Sequence, residues 1–190
     1  MVEKERKRMQ APAEIQTGRL ELTRLRPEDA AELYFITGEP WVMQYWHPGP
    51  DPDVAAASSR IDQINAHWEE HGFGDWGVSL RETGQLVGFA GLHYVQGMPE
   101  VNLGYALHPC AWGKGLGFEL CSRILEVAFV DLQLPEVIAV IDPRNTTSRR
   151  LAAKCGLHLW KHRKWKGLRR VVYRILRREY THRIAEHAGA

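Results

Sequence analysis

The sequence predicts a mixed α/β domain of the α+β type, built on a largely antiparallel sheet. Two observations lead to this fold class. Three strand-like runs follow one another between residues 76 and 107 with hairpin turns between them, which indicates an antiparallel meander. Segments with apolar residues at helical spacing lie before and after this meander. The chain has 190 residues, of which 44% are hydrophobic and 25% charged, and this is the composition of a single globular domain.

The first half of the chain is predicted to form a strand, a helix, an aromatic loop and a second helix. Residues 19–25 alternate apolar and polar side chains, which is typical of a half-buried strand. Pro27, followed by two acidic residues, begins a helix that runs to about Ile36, because proline and acids both suit a first turn. Residues 38–52, rich in Gly and Pro, form a loop, and residues 54–71 have the apolar spacing of a helix. The rings of the loop either line a pocket or cap the core: Trp41, Tyr45 and Trp46.

The second half is predicted to form the meander, two helices, a buried strand and a last hairpin. The strands of the meander are 76–80, 86–94 and 101–107. A glycine-rich loop leads into an amphipathic helix with apolar residues from Leu120 to Phe129 on one face. The remaining elements are a strand at 137–141, a helix at 146–154, and a hairpin of 157–165 and 171–176. We therefore divide the chain into a charged lead (1–16), one domain (17–178) and a C-terminal tail (179–190).

The composition also excludes several classes of protein. No stretch approaches the roughly 18 apolar residues of a membrane span, and the first ten residues are charged, unlike a signal peptide. We therefore expect a cytoplasmic protein with no membrane partner. The three cysteines form no CxxC pair and have no histidine at the usual ligand spacing, so we expect neither a metal site nor a disulfide framework.

The net charge of +2 is the sum of two opposed parts. Residues 158–183 hold ten Lys or Arg against one acid, a charge of +9, while the rest holds fifteen against twenty-two, a charge of −7. Such a basic segment suits a polyanion such as RNA, or an acidic substrate. No nucleic-acid-binding motif surrounds these charges, so we favour a solvated hairpin and tail over a nucleic-acid site.

The glycine-rich loop spans residues 113–117, with the sequence GKGLG. A loop of this kind before a helix directs several backbone N–H groups to one place, where the helix dipole favours phosphate. It is not a P-loop, because Lys114 is followed by Gly115 instead of Ser or Thr, and its spacing differs from the GxGxxG dinucleotide fingerprint. Taken alone, the loop is equally consistent with a tight structural turn.

The glycine-rich loop is one of several motifs along the chain. In order, the chain carries Thr17-Gly18-Arg19-Leu20, Arg26-Pro27-Glu28-Asp29, Leu103-Gly104-Tyr105-Ala106-Leu107-His108-Pro109, Trp112-Gly113-Lys114-Gly115 and Asn145-x-x-Ser148-Arg149-Arg150. Together they resemble the GCN5-related N-acetyltransferase (GNAT) superfamily, in particular its branch of ribosomal-protein N-terminal acetyltransferases. The resemblance covers about residues 17–178.

The resemblance implies the GNAT fold, with helices on both faces of a mixed, mostly antiparallel sheet. Its fourth and fifth predicted strands, 101–107 and 137–141, would splay apart around acetyl-CoA, the cosubstrate, and no metal is implied. The expected contacts to pantetheine and the thioester are the backbones of Tyr105, Ala106 and Leu107, with the side chain of Asn145 on the pantetheine arm and Ser148 near the sulfur. The expected pyrophosphate cradle is Trp112, Gly113, Lys114, Gly115, Leu116 and Gly117.

The same resemblance leaves the catalytic base open. The branch often has Glu two residues before the glycine of its GY motif, and Asn102, which cannot act as a base, stands there. Glu100, on the same strand face, either acts through a water molecule or is a solvated residue at the strand start. Many members have Tyr as general acid seven residues after the Asn, where this chain has Ala152. Ser148 is then the candidate for the acid or for a hydrogen bond to the thiol.

We therefore expect an N-acetyltransferase that moves the acetyl group from acetyl-CoA to a primary amine by direct attack on the thioester. An α-amino group, with a pKa of about 8, needs less help from a base than lysine at about 10.4, which favours a protein or peptide N-terminus. A small-molecule amine (amino acid, polyamine or antibiotic) remains an alternative. So does an RNA- or ribosome-binding protein whose basic C-terminal hairpin uses Trp160 and Trp165 for stacking. The resemblance allows a homodimer without requiring one.

Overall fold

A computed structural model describes residues 10–188, with side-chain surroundings for residues 10–182. The strands are β1 (Glu14–Gln16), β2 (Leu20–Thr23), β3 (Asp75–Leu80), β4 (Leu86–Tyr94), β5 (Val101–Leu107), β6 (Glu136–Ile141), β7 (His158–Trp165) and β8 (Leu168–Leu176). The helices are α1 (Ala30–Thr37), α2 (Pro40–Met43), α3 (Val54–His71), α4 (Leu116–Glu126), α5 (Thr146–Lys154) and α6 (Arg177–Ala188). The boundaries predicted for α3, α5, β4 and β5 are confirmed.

The strands form one sheet in the order β1-β2-β3-β4-β5-β6-β8-β7. Every neighbouring pair is antiparallel except β5 and β6, which run parallel and share a single register pair, Asn102 with Ile138. Six successive residues of β4, 87–92, are buried. Because successive strand residues point to opposite faces, this burial means that both faces of the sheet are covered. The predicted fold class is confirmed.

Three segments contain elements that the sequence did not predict. The lead contains β1, which is only three residues long and pairs with β2, so it is too short to show a periodic pattern. The tail contains α6, whose first turn is tied back when the Glu179 carboxylate accepts a hydrogen bond of 2.8 Å from the Leu176 N–H. Within the predicted aromatic loop, Pro40 begins the single turn of α2, with Glu39 as its N-cap.

Within residues 10–182, no helix is long and apolar enough to cross a membrane. Within the described residues the three cysteines form no disulfide: Cys110 is exposed, while Cys121 and Cys155 are buried. Among the described residues, no group of three or more His, Cys, Asp or Glu side chains could hold a metal ion.

Candidate active site

A cavity of about 350 Å³ opens where β5 and β6 separate. Both strands, α5 and the segment after α2 contribute to its wall. Four of the predicted site residues line it: Asn102, Tyr105, Asn145 and Ser148. The glycine loop, 113–117, follows β5 in the chain and leads into α4, and its residues are not among those that line the cavity.

The glycine loop has the geometry of an anion cradle. Gly113 and Gly115 have φ angles of 71° and 77°, in the left-handed region that glycine adopts without strain. Gly115 is the N-cap of α4, and no side chain caps that helix. Among the described residues, no hydrogen bond occupies the backbone N–H groups of 113–117. These N–H groups and the N-terminal end of the helix dipole suit a pyrophosphate.

A side-chain cluster at Glu119 anchors this loop to the start of the domain. The Glu119 carboxylate accepts hydrogen bonds from the Thr17 hydroxyl (2.6 Å), the Arg19 N–H (2.8 Å) and Arg19 Nε (2.7 Å). Arg19 Nη1 in turn donates to the Lys114 carbonyl at 2.8 Å. Burial by itself would raise the pKa of Glu119, but these hydrogen bonds outweigh it and hold the pKa below its usual value. The Thr17–Arg19 motif therefore positions the loop, a role that sequence spacing did not reveal.

The end of β5 presents alternate backbone groups to the opening. His108 N–H donates to Val87 of β4, and Ala106 pairs with Phe89, so the backbone of Ala106 faces β4. The alternation places the N–H groups of Tyr105 and Leu107 on the side facing β6. The Trp112 indole N–H donates to the Leu107 carbonyl at 2.7 Å, which fixes the start of the glycine loop against β5.

A pair of hydroxyl groups lies inside the cavity. The Tyr105 hydroxyl and Ser148 Oγ are 2.9 Å apart, although 43 positions separate them in the chain. Burial raises the pKa of Tyr105 far above its usual range, so its hydroxyl keeps its proton. Asn145 caps α5 by accepting a hydrogen bond of 3.0 Å from the Ser148 N–H. The sequence singled out Tyr105 only for its backbone, so its phenol at Ser148 is a site feature that the motif did not reveal.

The structure places the two candidates near the base position differently from expectation. Glu100 does not line the cavity: its side chain is 11% exposed and its carboxylate lies 3.3 Å from Lys161 Nζ. Its second oxygen is buried without a hydrogen-bond partner among the described residues. Asn102 does line the cavity, and its side-chain oxygen accepts a hydrogen bond of 2.9 Å from the Val140 N–H of β6. At 11% exposure Glu100 is not a solvated residue, while its action as a base through a water molecule stays a prediction.

The other end of the cavity is walled by aromatic side chains: Tyr45, Trp46, His47, Tyr94 and Trp165. Trp46 both lines the cavity and packs on Phe89 at a ring distance of 5.2 Å, whereas Trp41 is 70% exposed and does neither. Asp142 is the acidic residue of this wall, and Arg144 and Arg170 bind it at 2.9 and 3.1 Å. Hydrogen bonds from Arg144 are the main reason that the pKa of Asp142 is lowered.

On α5, the Arg149 guanidinium donates hydrogen bonds to the Pro143 carbonyl and the Tyr173 hydroxyl. Lys154 lies 4.5 Å from the ring of Phe118. His93, which no sequence motif singled out, also lines the cavity, and its Nδ1 is 3.0 Å from the Asp75 carboxylate. The two residues are 18 positions apart and on different strands, so only the register of β3 and β4 brings them together.

Comparison with known proteins agrees with this geometry. The family model of the acetyltransferase (GNAT) domain matches residues 19–158. The chain is 31% identical over 175 residues, covering 88% of this chain and 98% of the relative, to the uncharacterized N-acetyltransferase p20 of Bacillus licheniformis. The fold of this protein is similar to that of a solved acetyltransferase from Agrobacterium tumefaciens, with a TM-score of 0.75 and 25% identity over 87% of this chain and 95% of that one. It is also similar to a ribosomal-protein-S5-alanine acetyltransferase from Vibrio fischeri, with a TM-score of 0.73 and 14% identity over 87% and 97% of the two chains. The chain therefore belongs to the GNAT acetyltransferase family.

Proposed function

We propose that this protein transfers the acetyl group of acetyl-CoA to a primary amine by direct attack of the amine on the thioester. One observation carries the proposal: β5 lines a cavity that holds the Tyr105–Ser148 hydroxyl pair, and it is followed by a loop, 113–117, whose N–H groups have no hydrogen-bond partner among the described residues. The loop suits the pyrophosphate and the cavity suits the reacting end of the same molecule.

The backbone and side chains of the opening have separate roles in this proposal. The N–H groups of 113–117 would hold the pyrophosphate, because they are unpaired and lie at a helix N-terminus. The oxygen of Asn145 is committed to capping α5, so its amide nitrogen is the group left to donate to the pantetheine arm. The N–H of Tyr105 or Leu107, facing β6, would donate to the oxygen of the thioester as negative charge develops there.

The attacking amine loses one proton and the departing thiolate gains one, and the Ser148 hydroxyl would donate a hydrogen bond to the sulfur during this exchange. Because burial keeps Tyr105 protonated, its hydroxyl can donate to Ser148 Oγ while the serine hydroxyl donates to the sulfur. Ala152, one turn after Ser148 on α5, also lines the cavity but has no acidic group. Tyr105 thus supplies, from β5, a phenol that α5 lacks at Ala152.

The aromatic end of the cavity supports an acceptor whose amine is carried beside an apolar group, such as a peptide N-terminus. A polyamine needs free carboxylates for its several positive charges, and Asp142, the acid of the described wall, is already bound by Arg144 and Arg170. An RNA-stacking role for the hairpin has less support. Lys161 and Arg174 already lie over the Trp160 ring, at 3.4 and 4.1 Å, and the Trp165 indole donates to Gln96.

The test combines binding and turnover. Calorimetry with acetyl-CoA is followed by measurement of free thiol with a panel of acceptors: a peptide with a free N-terminus, the same peptide blocked but with a lysine, an aromatic amino acid, and spermidine. We expect acetyl-CoA binding, with the fastest thiol release for the unblocked peptide or the aromatic amine. Absence of acetyl-CoA binding would exclude the transferase, and a preference for spermidine or for the blocked lysine peptide would exclude the acceptor class.

A further inference from the structure

A chain of hydrogen bonds crosses four strands beside the cavity. Asp75 of β3 lies 3.0 Å from His93 Nδ1 of β4, and His93 Nε2 lies 3.0 Å from the side-chain nitrogen of Asn102 on β5. The oxygen of Asn102 accepts a hydrogen bond of 2.9 Å from the Val140 N–H of β6. Asp75 and Asn102 are buried, at 9% and 5% exposure, so each of these polar groups depends on its partner in the chain.

The direction of every bond follows from the β6 end. A backbone N–H can only donate, so the atom that meets Val140 is the oxygen of Asn102, and the amide nitrogen must face His93. That nitrogen donates, so His93 Nε2 must accept and carry no proton. The proton of a neutral ring then lies on Nδ1 and is donated to Asp75. The hydrogen bonds thus assign one tautomer to His93.

This series of hydrogen bonds ends where β5 and β6 separate. The two strands share the register pair of Asn102 with Ile138, and Val140 is two residues further along β6. The side chain of Asn102 supplies at Val140 the bond that a continuing β5 backbone would have supplied. A Cβ on Gly104 would lie 2.7 Å from His93 Cε1, so the imidazole is held against the β5 backbone and has no space to move that way. Val140 and its two strand neighbours line the cavity.

We propose that Asp75 and His93 are positioning residues of the transferase: they orient Asn102 so that it ties Val140 to β5 and sets the width of the opening that receives the pantetheine arm and thioester. This role rests on the proposed function. It also gives a task to Asn102, which occupies a base position but cannot remove a proton. His93 acts through Asn102 and does not itself take a proton from the acceptor, because the lone pair on Nε2 already accepts a hydrogen bond from the Asn102 amide.

The arrangement makes the opening sensitive to the protonation of His93. The titratable groups that face the ring are Asp75 from β3 and His67 from α3, while β5 and the segment after α2 present the neutral Asn102 and Trp46. Burial favours a low pKa for His93, but the attraction of Asp75 outweighs it and the pKa is raised. A proton on His93 Nε2 would point at the N–H groups of the Asn102 amide, and two donors cannot form a hydrogen bond. The Asn102 amide must then rotate, which places its nitrogen instead of its oxygen at the Val140 N–H. The tie to β6 is lost.

The experiment compares the wild type with three variants over a range of pH. For the wild type, KM for acetyl-CoA should rise as the pH falls through the His93 titration, by about fivefold to tenfold, the effect of one lost hydrogen bond. In Asn102→Asp, a carboxylate can accept from both Val140 and a protonated His93, so KM should instead rise as the pH increases. In His93→Gln, which does not titrate, the acid dependence should disappear. His162→Gln, at an exposed position of β7, is the matched control.

An independent measurement, which does not depend on catalysis, determines which groups donate and which accept in this series of hydrogen bonds. The ¹⁵N shifts of the His93 imidazole in the wild-type protein should show the tautomer with hydrogen on Nδ1, and in Asn102→Asp they should show a charged ring at neutral pH. A wild-type ring with hydrogen on Nε2 would overturn the proposal, as would an acid dependence of KM that Asn102→Asp leaves unchanged. If the wild type does not bind acetyl-CoA at all, the proposed function has failed. Normal binding with unaltered Kd and KM in all three variants means that only the positioning role has failed.

Discussion

At the scale of single residues, the proposed mechanism depends on two hydroxyl groups that come from different elements. Tyr105 extends from β5 and Ser148 from the first turn of α5, and their oxygens meet at 2.9 Å. A serine on a helix surface is a weak acid by itself. Burial makes Tyr105 hold its proton, so in the proposed mechanism its hydroxyl donates a hydrogen bond to Ser148 Oγ and the serine hydroxyl is left to donate to the sulfur.

We expect Ser148→Ala to lower kcat by about 100-fold, the size of effect that one positioned acid contributes, with little change in KM for acetyl-CoA. Tyr105→Phe should also lower kcat, and the double variant should be no slower than the slower single variant, because the pair acts as a unit. Steady-state kinetics of the three proteins test this. Ser59→Ala, an exposed serine on α3, is the control. Additive losses in the double variant would show that the two hydroxyls act separately.

At the scale of an element, the glycine loop and α4 form one unit with the start of the domain. Glu119 in the first turn of α4 is bound by Thr17 and Arg19, and Arg19 reaches the Lys114 carbonyl. Arg19 is half exposed, so water screens its charge, while the Thr17 hydroxyl is partly buried. The loop is therefore held through the Lys114 carbonyl and the Glu119 carboxylate, and its N–H groups remain open to an anion.

Gly115→Ala separates the binding role of the loop from backbone strain. At a φ of 77° an alanine costs about 1–2 kcal/mol and shifts the cradle, so we expect a lower melting temperature and a raised KM for acetyl-CoA. Gly84→Ala is a matched control: its φ is 70°, nothing lies within 4 Å of the added Cβ, and it is in the turn between β3 and β4. It should melt earlier to a similar degree with KM unchanged. Equal KM values in both variants would remove the loop from the binding site.

At the scale of the whole molecule, the basic C-terminal part is joined to the acidic body by buried and half-buried ion pairs. Lys161, Arg170 and Arg174 of the last hairpin pair with Glu100, Asp142 and Glu136. Arg163 donates to the Gly97 carbonyl as well. Part of the charge of +9 on residues 158–183 is therefore used to hold β7 and β8 on the body.

The Asp142–Arg170 pair should control acid stability. Both side chains are 6% exposed, so Asp142→Asn leaves a buried guanidinium without its counter-charge and should lower the free energy of unfolding at neutral pH by on the order of 3 kcal/mol. The pKa of Asp142 is lowered from its ordinary value of 3.8, so its stabilisation is present above that value and is lost as the pH falls through the folded-state pKa.

Urea unfolding of the wild type and Asp142→Asn at several pH values measures this effect. The difference between the two proteins should be largest at neutral pH and should shrink below a pH of about 3.8. Glu69→Gln is the control, since Glu69 is 75% exposed in its pair with Arg24 and should contribute little at any pH. If the difference in the free energy of unfolding stayed constant with pH, the contribution of Asp142 to stability would not depend on its charge.

Local pattern was enough to predict most of the fold. The helices α3 and α5 and the strands β4 and β5 begin and end where periodicity and turn residues indicated, because these signals record which side chains face the core. The glycine loop and the family motifs also indicated where acetyl-CoA would bind. Short elements were missed: β1 has three residues and α2 four, and runs of this length are too short for a repeating pattern to be recognised.

The sequence by itself determined most element types and the family, and it predicts the region of the cosubstrate, since each depends on residues that are neighbours in the chain. Only the tertiary structure decided which distant groups meet. Glu119 binds Thr17 from 102 positions away, Tyr105 reaches Ser148 across 43, and Asn102 reaches Val140 across 38. Such contacts depend on strand order and register, and no local period records them. For the same reason Glu100, which shares a strand face with the site by spacing, is turned to Lys161 in the fold.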